Sequence, residues 1–201
     1  NYDFKSAVFK GSIMDEPFDQ ARFNVHSRNG EVKSDLIKIT RGEGSVTMEG
    51  VGHPDGNIRT IVRGSNLRIE DSPHVKLLGL GLAGYFDFNM DVFGYVLGPD
   101  NLLKGTITKT TLGEEVLPNS EVSLKITNST VEGEAQVFEN IVQTSFIYPL
   151  KEHAPFRLKS SFKNWNFSPF LYNIGGSALR RDYQAHVSGE FDINSPKGGF
   201  W

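Results

Sequence analysis

Residues Asn57-Ile-Arg-Thr-Ile-Val-Arg-Gly-Ser-Asn-Leu-Arg-Ile-Glu-Asp-Ser-Pro73, a leucine-rich connector, and Gly84-Tyr-Phe-Asp-Phe-Asn-Met-Asp-Val-Phe-Gly94 decide how this chain folds. Both segments alternate apolar with polar residues. Phe86, Phe88, Met90 and Val92 fall on one face of the second segment, and Asp87, Asn89 and Asp91 on the other. Alternation with a period of two marks a strand with one apolar and one wet face. The first segment changes parity partway: Ile58, Thr60 and Val62 hold one parity, Leu67 and Ile69 the other. A one-residue slip turns every later side chain to the opposite face, so a bulge is expected there, with Gly64 at the break.

The pattern recurs. Asn66-Leu67-Arg68-Ile69 is echoed by Asn164-Trp165-Asn166-Phe167, and Ser72-Pro73 by Ser168-Pro169. Gly84-Tyr85-Phe86-Asp87-Phe88 is echoed by Gly189-Glu190-Phe191-Asp192-Ile193, and Asn29-Gly30-Glu31-Val32 by Asn128-Ser129-Thr130-Val131. These anchors keep their order at offsets of 98, 96, 105 and 99 positions. The parity change recurs too, between Phe156, Leu158 and Phe162 on one side and Trp165 and Phe167 on the other. A tandem duplication follows, with units at 1–100 and 101–201. Residues 1–20 match poorly and are left open as the end of a preceding unit.

Composition narrows the function. Basic residues number 21 against 24 acidic, with no run of Lys or Arg, which argues against a nucleic-acid partner. Cysteine is absent, excluding disulfides, thiolate metal sites and a cysteine nucleophile. The 21 glycines scattered between alternating segments suit many short strands and tight turns. No apolar stretch is long enough to span a bilayer as a helix. The chain starts Asn1-Tyr2-Asp3 and reads as an excised piece of a longer protein or a mature product.

Along the chain, weak strand patterns occupy Asp3–Phe9 and Ala21–His26, with Asp15-Glu16-Pro17 as a turn between them. Asn29-Gly30 suits a type I′ hairpin turn. Strands follow at Glu31–Thr40, Gly44–Val51 and Ile58–Arg63. Ser72–Leu82 could form a short helix, capped by Ser72 with Pro73 in its first turn; Ser168–Ile174 is its counterpart. Gly98-Pro99-Asp100-Asn101 is expected to break the sheet. Strands resume at Leu103–Lys109, Val122–Thr127, Val131–Phe138, Ile141–Tyr148, Phe156–Phe162, Tyr183–Val187 and Gly189–Asn194. About a dozen strands without long helices exclude a parallel α/β sheet; the expected class is all-β.

Little catalytic chemistry is visible. His26, His53, His74, His153 and His186 lie too far apart in sequence to suggest a metal pair and are read as surface or turn residues. Asp87 with Asp91, and Glu190 with Asp192, could be the acid and base of a glycosidase, but Asp87, Asp91 and Asp192 are expected to lie on a solvated outer face. No nucleophile elbow, phosphate loop or dinucleotide fingerprint occurs. Asn128-Ser129-Thr130 is a glycosylation acceptor in form only. The expectation is a protein that is not an enzyme and holds no cofactor or metal.

The apolar face remains. In the first unit it carries Val46, Met48, Ile58, Val62, Phe86, Phe88, Met90 and Val92. In the second it carries Ile107, Val122, Leu124, Ile126, Phe146, Phe156, Leu158, Phe162, Phe191 and Ile193. Such a face is either the core of a β-sandwich or the lining of a groove. Asn66-Leu67-Arg68-Ile69 leading through Ser72-Pro73 to Gly84-Tyr85-Phe86-Asp87-Phe88 resembles the repeating units of the TamB/AsmA-like proteins. So do Phe167-Ser168-Pro169-Phe170-Leu171 and Ser188-Gly189-Glu190-Phe191-Asp192-Ile193. The resemblance runs in two units from about Ala21 onward and carries no catalytic residues. It implies a periplasmic segment of a longer protein anchored in the inner membrane, built as an elongated, trough-like "β-taco" sheet. Its eighteen apolar residues would line a groove that shields phospholipid acyl chains. The implied roles are phospholipid transport between inner and outer membranes, or outer-membrane protein assembly with an Omp85-type partner, alongside neighbouring units of the same chain. A carbohydrate-active jelly-roll enzyme and a structural β-sandwich or adhesin module are the rival readings.

Overall fold

In the computed structural model, residues 1–13, 15–77, 79, 81–127, 130–150, 156–168, 171 and 185–195 are described, His74 by its backbone alone. Strands make up almost all of them: β1 (Tyr2–Ile13), β2 (Glu16–Arg28), β3 (Glu31–Arg41), β4 (Gly44–Gly52), β5 (Asn57–Arg68), β6 (Leu82–Tyr95) and β7 (Asp100–Leu112). Then follow β8 (Glu115–Leu117), β9 (Ser120–Ile126), β10 (Thr130–Val137), β11 (Val142–Pro149), β12 (Phe156–Asn166) and β13 (His186–Ser195). All belong to one open antiparallel sheet in chain order, except that β8 pairs only with β7. Between β5 and β6 lie a 3₁₀ turn, Ile69–Asp71, and a short helix α1, Pro73–Leu77.

Several expectations are corrected. The Gly98–Asn101 segment does not break the sheet: β7 begins at Asp100 and pairs with β6 from Phe93↔Asp100 to Leu82↔Leu112. The helix expected within Ser72–Leu82 is present and, as Gly79 and Gly81 suggest, short: it spans Pro73–Leu77, and both glycines beyond it take positive φ, which an α-helix does not allow. Its counterpart at Ser168–Ile174 falls mostly outside the described residues, as do Asn128, Ser129 and Tyr183. The two strands expected at the end are one, β13, running through Ser188. The weak first patterns are full strands of 12 and 13 residues. Asn29 and Gly30 both have positive φ, as a type I′ turn requires.

Strand pairing recurs between the two halves. Val8↔Ala21 and Tyr2↔Ser27 in β1–β2 correspond to Ile107↔Ser120 and Asn101↔Ile126 in β7–β9, every position shifted by 99. Ser27↔Val32 likewise corresponds to Ile126↔Val131. Glu115–Leu117 sits where Glu16–Phe18 begins β2; Pro118, which lacks an N–H, separates β8 from β9.

Both expected bulges are present. The β5–β6 register shifts between Gly64 and Leu67, and the β12–β13 register between Phe162 and Trp165. Gly64 lies at the first break as expected, and the left-handed residue at each is an asparagine, Asn66 (φ 54°) and Asn164 (φ 48°). Asn tolerates this region better than most side chains. The Asn66 N–H donates to Asp87 Oδ1 at 2.8 Å, and the Asn164 N–H to Ser188 Oγ at 2.7 Å. Asp87 and Ser188 are 101 positions apart, as are Phe88 and Gly189, the partners of Gly64 and Phe162. The sequence echo of Gly84 by Gly189 is therefore four residues out of structural register. Four is even, so the error leaves every side chain on its expected face.

Gly64 serves packing instead. A Cβ there would meet the Phe88 ring at 2.2 Å; one at Gly105 would meet Phe86 at 2.4 Å, and one at Gly133 would meet Phe146 at 2.3 Å. Each ring lies over a glycine on the next strand. In the second bulged pair the arrangement is reversed, with Phe162 on β12 beside Gly189 on β13.

No second layer covers the sheet among the described residues. The buried apolar residues are Ala21, Val62, Leu112, Leu117 and Phe138. The last three form a small core with Leu82, Val137, Ile141, Val142 and Trp165 at one end. A compact protein of 22.4 kDa would expose about 9,400 Å²; this chain exposes 13466 Å². The closed sandwich is thus replaced by an open, trough-like sheet.

Two measurements test these features. Asn66→Ala should lower stability by about 1 kcal/mol or more, the cost of a left-handed residue with a Cβ and no local partner. Asn66→Gly should be close to neutral. Equal denaturation midpoints for the two variants would show that left-handed geometry does not shape the bulge. Gly133→Ala and Phe146→Ala should each destabilise, but the double variant should cost at least ~0.5 kcal/mol less than their sum, since both remove one ring–glycine contact. Additive costs would dissolve the pairing.

Candidate functional site

Cross-strand partners share a face, so the registers trace rows across the sheet. One row runs Ser6–Phe23–Ile37–Met48–Val62–Met90 in the first six strands. It continues as Leu103–Leu124–Gly133–Phe146–Leu158–Ile193. At about 4.8 Å per strand it is roughly 50 Å long. It crosses every strand of the main path without a charged residue. A parallel row holds Val46, Gly64, Phe88, Gly105, Val122, Ala135, Thr144, Ser160 and Phe191. Val92 and Ile126 flank it on one side with Phe156; Phe86, Ile107 and Phe162 flank it on the other. Ile58 lies between Gly52 and Gly94.

All eighteen apolar residues singled out in the sequence thus lie on one face. Val62 alone of them is buried; Phe191 and Ile193 are exposed, and the other fifteen are half-buried. Phe86 and Phe88 stack with ring centroids 5.4 Å apart. The sequence reading missed Phe23 and Ile37, which lie in strands whose alternation is weaker. It also missed Leu103, although Leu103 shares the parity of Ile107 in the same strand.

The other face is charged. One hollow, about 590 Å³, lies among Arg63, Asp87, Asn89, Lys104, Glu121 and Glu134. A second of about 450 Å³ lies among Lys125, Glu132, Arg157 and Lys159. These are gaps between long polar side chains, floored by the strands that carry Phe88, Val122 and Phe146 on their other face. On the apolar face, a hollow of about 350 Å³ is lined mainly by Val32, Met48, Gly50, Ile58, Thr60 and Val96.

Of the candidate acids, Asp87 and Asp91 do not form a catalytic pair, and Glu190 and Asp192 both lie exposed on the charged face of β13. Asp87 and Asp91, four apart on a strand, stand roughly 13 Å apart by strand rise, beyond glycosidase spacing. Asp87 is half-buried and holds the bulge amide of Asn66, so it is not the freely solvated residue expected. Asp91 is exposed. Asp192 is exposed and accepts a hydrogen bond from Arg157 at 2.9 Å, which holds its carboxyl below the usual range. His26 lies between Asp3 and Asp35, and its hydrogen bond to Asp3 lowers that carboxyl in the same way. His53 faces Glu31 at 3.5 Å, and His186 contacts Asn164. His153 lies outside the described residues. No group of three or more His, Asp or Glu that could hold a metal occurs among the described residues. No described helix is long and apolar enough to cross a membrane.

Comparison with protein-family models, curated proteins and solved structures finds no match for this chain.

The Arg157–Asp192 pair sets a pH dependence. A depressed folded carboxyl contributes stability above its unfolded value, about 3.9, and that contribution is lost as pH falls through the folded value. The melting temperatures of wild type and Asp192→Asn should therefore differ at neutral pH and converge in acid. A constant difference across pH 2–7 would remove the ion pair as its source.

Proposed function

We propose that this chain shelters phospholipid acyl chains on the apolar face of its sheet, as the resemblance to TamB/AsmA-like proteins implies. The observation that carries the proposal is the roughly 50 Å uncharged row across all strands of the main path, free of polar side chains from Phe23 onward, with no second layer over it among the described residues. Each acyl CH₂ moved from water onto such a face gains about 0.8 kcal/mol. Head groups would stay at the margins, near water. On this reading the chain is a periplasmic part of a longer, inner-membrane-anchored protein. An Omp85-type protein would receive the lipid at the outer membrane. The reading assigns no catalysis; binding and release of lipid are the activity.

Native mass spectrometry of protein purified without detergent should show bound phospholipid. Phe88→Arg should stay folded, because the Arg stem can lie over Gly64 while its head reaches water. Its melting temperature should fall by about 2–8 °C, corresponding to ~1–2 kcal/mol, and lipid should be lost. Leu102→Arg, on the charged face, should keep both. Retained lipid in Phe88→Arg, or equal loss in Leu102→Arg, would rule out this face as the lipid site.

A further inference from the structure

The outer edges of β1 and β13 meet no other described strand. Yet each corresponds to an edge that does. β1 matches β7 at a shift of 99, and β13 matches β6 at a shift of 101, by the registers each makes with its inner neighbour. β6 and β7 pair with each other.

We propose that a second copy of this chain docks its β1 on β13 in the register that β7 takes on β6, so that copies join head to tail into one continuous sheet. Carried over, Met90↔Leu103 becomes Phe191↔Phe4, and Phe86↔Ile107 becomes Val187↔Val8. Val92↔Asn101 becomes Ile193↔Tyr2, and Asn89↔Lys104 becomes Glu190↔Lys5. The apolar face thereby runs unbroken from one copy to the next. Docking covers side chains that are open in the single chain: Tyr2 is 80% exposed, Phe4 57% and Phe191 42%. Cross-strand apolar pairs of this kind stabilise a sheet.

Two further features favour this occupant over an arbitrary strand. The first is geometric. β7 bulges opposite Gly84, where pairing passes from Ala83↔Thr111 to Tyr85↔Thr108, with Lys109 left-handed at φ 50°. Lys10 on β1 is left-handed at φ 58°, so the outer edge carries the same kink with no described strand across from it. The second is charge. Lys5 faces Glu190 in the carried-over register. The one like pair, Asp3 opposite Asp192, brings together carboxylates already held by His26 and Arg157. A head-to-tail contact does not close on itself by necessity, so it generates chains of copies. The inference rests on the strand registers and is independent of the lipid reading.

Sedimentation velocity of the full chain over a wide concentration range tests it. Wild type should form open-ended oligomers that grow with concentration. Lys5→Glu and Glu190→Lys should each weaken association by about tenfold, since each places like charges opposite. An equimolar mixture of the two variants should recover it, because the carboxylate introduced at position 5 of one then faces the ammonium introduced at position 190 of the other. The chain lacks cysteine, so Lys5→Cys and Glu190→Cys copies can be mixed and oxidised. They should cross-link to each other, whereas Lys5→Cys with Ser188→Cys, two residues out of register, should not. Circular dichroism confirms that each variant is folded. A wild type that stays monomeric, a mixture that fails to recover, or cross-linking without register preference would overturn the proposal. So would a chain carrying both Lys5→Cys and Glu190→Cys that cross-links within itself at high dilution.

Discussion

A phenylalanine ring laid over a glycine on the neighbouring strand is the contact on which this open sheet depends. In a layered protein, apolar side chains find partners in the opposing layer. Here no described layer opposes them, so they must find partners within their own face. Phe88 over Gly64, Phe86 over Gly105 and Phe146 over Gly133 do so by lying down across the strand gap. Aromatic cover of this kind also shields glycine backbone that would otherwise be wet. Flat rings bury part of their area twice, against the glycine and against each other, while the upper surface stays apolar and open.

That arrangement limits what can change. Each glycine is required by a ring, not by its own φ: Gly64, Gly105 and Gly133 are absent from the positive-φ positions. The bulge beside Gly64 is carried by Asn66, whose left-handed backbone is tied down by the Asp87 carboxylate. At Asn164 the tie is a serine hydroxyl, and the ring and glycine have exchanged strands. The two bulges keep the same geometry with different chemistry. What persists between them is one large and one absent side chain per pair, plus one acceptor for the freed amide. Both satisfy physical demands, for filled volume and for a paired N–H, that do not specify which strand supplies them.

An apolar face and two sheet edges that no described residues cover are liabilities in water, since both invite association. The proposed lipid cargo would occupy the face, and the proposed copy-to-copy contact would occupy the edges. The two use different surfaces: side chains projecting from the sheet in one case, backbone hydrogen-bonding groups in the other. The charged face, with Arg63, Asp87, Lys104 and Glu121, stays solvated in either case.

Much of this was legible in the sequence. Period-two alternation placed all eighteen apolar residues on one face, and the parity changes after Val62 and Phe162 located both bulges. These are local properties: within a strand, face follows parity and nothing else. Tertiary structure decided the rest. Whether one face is covered by a second layer depends on how strands associate, and the same alternation serves a sandwich and an open sheet alike. The identity of the left-handed residue turned on a contact between strands, because Gly64 was already claimed by the Phe88 ring. The equivalence of Gly189 with Phe88, rather than with the Gly84 it echoes, is set by hydrogen-bond pairing across β12 and β13. A four-residue slip is invisible to a pattern that repeats every two.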